Sequence, residues 1–152
     1  MVTYFLDSSA LAKRYLDEPG SAWTKAVATD ERNVLIIARI TLVEIASALS
    51  RRRREAAISD VDYADQLGAI RFDARARYQI VELTSTITDE ALHLTTQHAL
   101  RAYDAVQLAS GLFANRAVIS AGTMPLVFLS ADERLNAIAQ AEGLNTDNPA
   151  RH

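Results

Sequence analysis

Val2-Thr-Tyr-Phe-Leu-Asp7 is a short apolar and β-rich run that stops at an aspartate. Three more runs of strand length follow it, at residues 34–37, 79–83 and 126–129. Helical patterns separate the four runs. Strands that alternate with helices predict an α/β fold, in which helices cover both faces of a mostly parallel sheet.

The helical patterns and the turns between them account for the chain without a linker. Helices are expected at residues 9–16, 21–28, 41–54, 61–77, 89–99, 103–115 and 133–142. Glycine and proline fall where helices should end or turns occur, at Pro19-Gly20, Gly122, Pro125, Gly143 and Pro149. Since no repeat or low-complexity tract interrupts this pattern, we expect residues 1–152 to form one domain.

Composition excludes several kinds of site. The 152 residues are enough for an independent core, and 49% are hydrophobic against 23% charged, which is typical of a packed globular protein. The absence of cysteine excludes a disulfide, a thiolate metal site and a cysteine nucleophile. The net charge of -3 provides no broad positive field, so contact with nucleic acid would need a local basic patch.

The apolar segments are too short or too interrupted for secretion or membrane insertion. Asp7 cuts short the first apolar run, which also lacks the basic start of a signal peptide. The most apolar stretch, residues 34–49, contains Arg39 and Glu44 and falls short of the roughly 20 residues that span a bilayer. We therefore expect a cytoplasmic protein with no membrane partner.

Two aspartates follow predicted strands. Asp7 comes directly after the first strand and Asp132 lies just beyond the fourth. Because ligands bind beyond the carboxyl ends of the strands in an open parallel sheet, one edge would bring the two together. The alternative is local: Asp7 as the N-cap of the next helix, and Asp132 near the positive end of its own helix, with Ser130 and Glu133 as a capping box.

Glu44 and Asp104 interrupt apolar helical segments. The segment around Glu44 is apolar almost all round, which indicates a helix packed on the sheet with one acid near its N-terminal end. The segment around Asp104 is a similar buried helix, and a buried carboxylate needs a partner. The alternatives are a capping box of Thr41 with Glu44 and an ion pair of Arg101 with Asp104.

Four converging carboxylates need a compensating charge. Each close pair repels by roughly 4 kcal/mol at about 4 Å and an effective dielectric of about 20, so an uncompensated site would take up protons. Mg²⁺ or Mn²⁺ with oxygen ligands removes that penalty. Such a metal also activates water as a nucleophile and neutralises a phosphate, so no histidine base is required. His93, His98 and His152 show no metal-ligand spacing.

The four acids lie in four motifs. These are Phe5-Leu-Asp-Ser-Ser-Ala-Leu11, Thr41-Leu-Val-Glu44, Leu100-Arg-Ala-Tyr-Asp-Ala-Val-Gln-Leu-Ala109 and Leu129-Ser-Ala-Asp-Glu-Arg-Leu135. In order and separation, over essentially the whole chain, they resemble the motifs of PIN-domain ribonucleases, specifically the VapC-type toxins of type II toxin-antitoxin pairs. The resemblance implies a PIN-like three-layer fold with a four- to five-stranded sheet.

The resemblance also implies an activity and partners. It implies hydrolysis of RNA phosphodiester bonds, a homodimer, and inhibition by a cognate antitoxin that wraps the toxin and can push a basic side chain into the acidic pocket. The residues that bind Mg²⁺ or Mn²⁺ and carry catalysis would be Asp7, Glu44, Asp104 and Asp132.

Small hydroxyl groups match the positions that support the acids in such sites, at Ser8, Ser9 and Ser130. One departure concerns a further aspartate that many relatives carry shortly after the fourth acid. This chain has Glu133 and Asn136 in that region. The departure puts the occupancy of a second metal position in doubt.

Two surfaces are candidates for substrate and partner. The arginines at 51–54 are the strongest basic cluster, and either a solvated helix end or RNA phosphate contacts explain them. Arg101 is a candidate to steer a phosphate to the metal. An apolar groove on the early helices would receive an amphipathic antitoxin helix, although core packing explains the same side chains. These side chains are Leu11, Leu16, Trp23 and Val27.

Two other functions fit parts of the sequence. A haloacid-dehalogenase-like phosphatase also has an aspartate after its first strand, but it expects another acid two residues later, where this chain has Ser9. A non-catalytic binding module would use the acidic pocket to receive a basic peptide. Binding of Mn²⁺ distinguishes the nuclease from such a module.

Overall fold

The computed structural model describes residues 1–152 and has one five-stranded sheet. All the strand pairs are parallel, in the order β3-β2-β1-β4-β5. The strands are β1 (Thr3–Leu6), β2 (Val34–Ala38), β3 (Tyr78–Val81), β4 (Val127–Leu129) and β5 (Asn145–Asp147). The predicted α/β class is confirmed, and the sheet is fully rather than mostly parallel.

Seven α-helices connect and cover the strands. They are α1 (Ser8–Tyr15), α2 (Ser21–Thr29), α3 (Arg39–Arg54), α4 (Asp60–Ala76), α5 (Ser85–Gln97), α6 (Ala102–Ser120) and α7 (Glu133–Ala141), and a short 3-10 turn follows at Pro149–Arg151. None of them combines the length and the apolar character that crossing a bilayer requires.

The central strands send alternate side chains into two cores, one on each face of the sheet. Phe5 and Phe128 point to one face, where their rings stack with centroids 5.4 Å apart and pack with residues of α5, α6 and α7. Leu6 and Leu129, the next residues along the same strands, point to the other face with residues of α1 to α4. Burial on both faces explains why these strands are apolar without alternation. The predicted three-layer arrangement is confirmed.

Most element boundaries shift by only a residue or two from the predicted ones, but three differences are larger. The helix α5 begins at Ser85 rather than residue 89, because the Thr84 side chain caps it by accepting from the Ile87 N–H. The helix α6 continues past residue 115 to Ser120, and the turn that follows contains Gly122 at φ 78°. The strand β5 is short and polar, so it showed no apolar run.

The strand order reverses between β1 and β4. From β1 the chain builds outward through β2 and β3, and later returns to place β4 on the other side of β1. Asp7 and Ser130 follow these two strands directly, and the Asp7 N–H donates to the Leu129 carbonyl at 3.0 Å. A reversal of this kind leaves a crevice beyond the carboxyl ends of the strands, where ligands bind.

Candidate active site

Asp7 is buried at this reversal point, and hydrogen bonds hold both of its carboxylate oxygens. Its Oδ1 accepts from the Ala10 N–H at 2.8 Å, as the N-cap of α1, and from the Ser9 hydroxyl at 2.7 Å. Its Oδ2 accepts from the Ser130 hydroxyl at 2.7 Å. Burial raises the pKa of Asp7 from 3.8 to about 6, although these hydrogen bonds lower it. Asp7 is therefore an N-cap as well as a member of the acidic group.

Gln107, from α6, connects Asp7's helix to the helix that carries Glu44. Its Nε2 lies 2.9 Å from the Ser8 hydroxyl, 2.8 Å from the Thr41 hydroxyl and 3.2 Å from the Glu44 carboxylate. The side chain is only 2% exposed, and its Oε1 has no hydrogen-bond partner. One buried amide thus links α1, α3 and α6 beneath the acids.

Glu44 is half-buried on α3, and its carboxylate has an unusually high pKa. Burial raises that pKa from 4.5 to about 7, the charges of Asp7 and Asp104 add to the rise, and the hydrogen bond from Gln107 opposes it. The helix α3 begins at Arg39, so Thr41 is its third residue and not its N-cap. The capping box of Thr41 with Glu44 therefore does not form. That alternative explanation of Glu44 is wrong.

Asp104 lies in the first turn of α6. Burial raises the pKa of its carboxyl, the charge of Asp132 raises it further, and the cations of Arg101 and Arg134 lower it. The predicted ion pair of Arg101 with Asp104 is wrong as a direct contact, because Arg101 forms no salt bridge and acts only over a longer distance.

Asp132 is exposed and caps α7. Its Oδ1 accepts from the N–H groups of Arg134 at 2.9 Å and Leu135 at 3.2 Å. The alternative capping box of Ser130 with Glu133 is wrong, because Ser130 precedes the cap and its hydroxyl accepts from the Asp132 N–H at 3.1 Å. The N-cap position of α7 thus belongs to the acid itself.

Three of the acids line one pocket. Glu44, Asp104 and Asp132 face a volume of about 390 Å³, together with Arg101 and Arg134. Asp7 does not line the pocket, but its negative charge raises the pKa of Glu44. The charge of Asp104 in turn raises the pKa of Asp7. The structure therefore brings all four predicted acids to the same end of the sheet.

The chemistry of this group suits a hard divalent cation. Every acidic side chain in it offers oxygen ligands, and the raised pKa values of Asp7, Glu44 and Asp104 reflect burial and mutual repulsion that a cation would relieve. No three acidic or histidine side chains are close enough to one another to hold one ion as they stand. The donor set thus fits Mg²⁺ or Mn²⁺, and binding would require these side chains to move closer together.

The two residues discussed for a second metal position both have other partners. Glu133 pairs with Arg151 at 2.9 Å and accepts a hydrogen bond from Asn148. Asn136 is buried and donates from Nδ2 to the Ser130 carbonyl at 2.8 Å, which ties α7 to the end of β4.

The sequence reasoning missed the contacts of Gln107. The sequence did contain a sign of these contacts, because Gln107 is a polar residue within the apolar helix that also carries Asp104. A buried amide must find partners. What the pattern could not show is which helices supply them, because the partners are 66 and 99 residues distant in sequence.

The proposed apolar groove on the early helices does not form. Leu11, Leu16 and Val27 are buried in the core between these helices and the sheet, so core packing is the correct explanation. Trp23 is half-buried and stacks on the His152 ring, with centroids 4.2 Å apart.

Similarity to known proteins agrees with this geometry. The PIN domain family model matches residues 4–140. Ribonuclease VapC45 of Mycobacterium tuberculosis (strain CDC 1551 / Oshkosh) is 33% identical over 143 residues, which cover 94% of this chain and 93% of that protein. The structure is similar to VapBC2 from Rickettsia felis bound to a promoter DNA fragment, with a TM-score of 0.65, 14% identity, and coverage of 97% and 98% of the two chains. A toxin-antitoxin complex from Klebsiella pneumoniae gives a TM-score of 0.62 at 15% identity, with coverage of 96% and 97%.

The fold with its acid-lined reversal point is that of a PIN domain, and the chain belongs to the PIN domain family. Its identity with a VapC ribonuclease over nearly the full length of both proteins assigns it to the VapC type within that family. The resemblance found in the four motifs is thereby confirmed.

Proposed function

We propose that this protein is a Mg²⁺-dependent endoribonuclease, with Mn²⁺ as a substitute, and that it acts as the toxin of a toxin-antitoxin pair. The observation that carries the proposal is the pocket in which Glu44, Asp104 and Asp132 meet, with Asp7 electrostatically coupled to Glu44 and Asp104. Its VapC relatives are ribonucleases by name, which supports RNA as the substrate.

The acids would hold the metal, and neighbouring residues would orient them. When bound, the metal would lower the pKa of a water nucleophile and neutralise charge on the phosphate. Ser9 and Ser130 hold the Asp7 carboxylate, while Gln107 holds Glu44. Arg101, exposed at the rim of the pocket, is positioned to attract an RNA phosphate.

Further parts of the proposal concern assembly. A structural relative is a toxin-antitoxin complex, which supports a cognate antitoxin for this chain. We also propose a homodimer located in the cytoplasm. The single sheet built from strands near both ends of the chain supports residues 1–152 as one domain.

The test of activity combines metal removal with a single substitution. We expect total bacterial RNA to be cut in Mg²⁺, and we expect EDTA to abolish the cleavage. Asp104→Asn removes one charge from the pocket and should slow cleavage by about a hundredfold or more. Asp89→Asn, an exposed acid of α5, is the matched control and should cleave as the parent does. Cleavage that persists in EDTA, or that proceeds at the parent's rate in the Asp104 variant, would refute the proposal.

Calorimetry with Mn²⁺ alone provides a second readout that does not depend on RNA. The parent and Asp89→Asn should bind Mn²⁺ equally, and Asp104→Asn should bind it more weakly. The same measurement addresses the binding-module alternative, which requires no metal. Neither that alternative nor the phosphatase is favoured by the match to the PIN family.

A further inference from the structure

A second pocket of about 460 Å³ adjoins the acid-lined one. The two pockets share Glu44 and Tyr103 in their linings, so they are continuous around these side chains. The second pocket lies between α3 and the start of α6, and nothing in the four acid motifs assigns it a role. Its floor is mostly apolar, and its far end is marked by Arg51.

One face of α3 forms the length of this pocket. Ile40, Glu44, Ser47 and Arg51 recur at helical spacing, so they lie along a single stripe of the helix. Arg51 lies seven positions after Glu44, which is a rise of roughly 10 Å along the axis. An extended ligand whose reacting group lies at the acids would therefore place its neighbouring groups against this stripe of α3.

Tyr103 forms the wall between the two pockets. It precedes Asp104 in the first turn of α6, its side chain is 61% exposed, and its hydroxyl has no hydrogen-bond partner in the structure. An exposed, rigid aromatic ring beside a phosphodiester-cleaving site offers a flat surface on which a nucleobase can stack. Core packing does not account for this ring.

Arg51 differs from Arg52 and Arg53 in the basic cluster at the end of α3. Arg52 pairs with Glu18 at 3.1 Å, and Arg53 pairs with Asp60 at 2.6 Å. Arg51 is exposed, faces the pocket and has no acidic partner. Its charge is therefore available to a phosphate, whereas ion pairs account for Arg52 and Arg53.

We propose that this pocket is a subsite for single-stranded RNA, which binds the nucleotide next to the scissile phosphate. The base stacks on the Tyr103 ring above the apolar floor, the Ser47 hydroxyl meets the base edge, and Arg51 contacts the following phosphate. Unlike an apolar peptide groove, the pocket pairs an aromatic wall with an unneutralised cation and opens directly onto the acids. The subsite rests on the proposed ribonuclease function.

The test measures binding without cleavage. A short, labelled, random-sequence single-stranded RNA is titrated by fluorescence anisotropy in EDTA. We expect Tyr103→Ala to weaken binding roughly tenfold and Tyr103→Phe to bind as the parent does, because the ring supplies the contact. Phe72→Ala removes an aromatic ring that is 68% exposed on α4, away from the pocket, and is the matched control. An abasic RNA of the same length has no base to stack, so Tyr103→Ala should bind it as tightly as the parent does.

Arg51 is tested by salt dependence. Arg51→Ala should reduce the slope of log affinity against log salt by about 0.7, the value for one phosphate contact on a single strand. Arg54→Ala, an exposed arginine one helical turn further along, should leave the slope unchanged. Equal slopes in the two variants would remove Arg51 from the RNA path.

The subsite and the ribonuclease function fail in different ways. If Mg²⁺ starts RNA cleavage but Tyr103→Ala and Phe72→Ala bind RNA equally well, the subsite is wrong and the ribonuclease function stands. A protein segment is then the remaining occupant of the pocket. If no RNA is bound or cleaved, the function itself fails and the subsite fails with it. If Tyr103→Ala weakens binding but Mg²⁺ starts no cleavage, Tyr103 contacts RNA but the nuclease activity is refuted, and the subsite fails with it because no phosphate is cut beside it.

Discussion

Gln107 shows how one buried side chain can set the properties of a proposed metal ligand. Its amide is within hydrogen-bond distance of groups on two other helices, and one of those groups is the Glu44 carboxylate. This hydrogen bond favours the charged form of Glu44 and so opposes the effect of burial on the pKa. The amide therefore helps Glu44 to be available as a ligand near neutral pH.

Replacing Gln107 with methionine should raise the pKa of Glu44 above about 7, because the opposing hydrogen bond is lost. It should also reduce the free energy of unfolding by about 1–3 kcal/mol, since the Ser8 and Thr41 hydroxyls lose a buried partner. A carbon-detected NMR titration of the glutamate carboxyls measures the first effect. Gln97→Met, on the exposed side of α5, is the control, and an unchanged Glu44 titration in the Gln107 variant would contradict the prediction.

The helix α6 contains a glycine for a reason that lies in the sheet. A Cβ atom at Gly111 would stand 2.8 Å from the Phe128 ring and 3.5 Å from the Phe5 ring. Those rings stack on each other and are fully buried, so they have little room to move. The close approach of α6 to the sheet, which also positions Asp104 and Gln107, thus depends on the missing side chain.

We expect Gly111→Ala to destabilise the protein by about 1–2 kcal/mol, because overpacking outweighs the gain in helix propensity. Gly68→Ala is the matched control within α4, where an added Cβ meets nothing within 4 Å. That variant should be more stable by about 0.5–1 kcal/mol. Urea denaturation measures both, and a stabilised Gly111 variant would show that the two rings yield easily.

Across the whole molecule, the acids place a destabilising charge at the end of the sheet. The pKa of Asp7 rises to about 6 and that of Glu44 to about 7. Because both folded-state values exceed the unfolded ones, their favourable contribution to stability is complete below about pH 4. It is lost as the pH rises through about 6 to 7.

In EDTA, the Glu44→Gln variant should therefore gain stability relative to the parent as the pH rises from about 4 to about 8. The expected gain is about 1–2 kcal/mol, discounted for solvent screening because Glu44 is only half-buried. Urea midpoints across this range measure the difference. The variant Glu31→Gln, at an exposed turn, should follow the parent curve. Parallel curves for the Glu44 variant and the parent would mean that neighbouring groups already compensate its charge.

Much of the architecture was predictable from local patterns. The apolar runs identified β1 to β4. The three inner strands, β2, β1 and β4, are mostly apolar because helices cover both of their faces. The four acids could be chosen because carboxylates are conspicuous after such runs and within apolar helices. The polar strand β5 and the extra turns of α6 were not predictable, since neither differs in composition from a loop or an exposed helix end.

The sequence by itself determined the α/β class, the order of the elements and the identity of the acids, because these depend on hydrophobic periodicity and on residue type. Only the tertiary structure decided which acids share a pocket and that Tyr103 and Arg51 border a second pocket. The physical reason is that these contacts join residues far apart in sequence. Their distances are set by how α3, α6 and the reversed strand order pack together, and no local pattern records that packing.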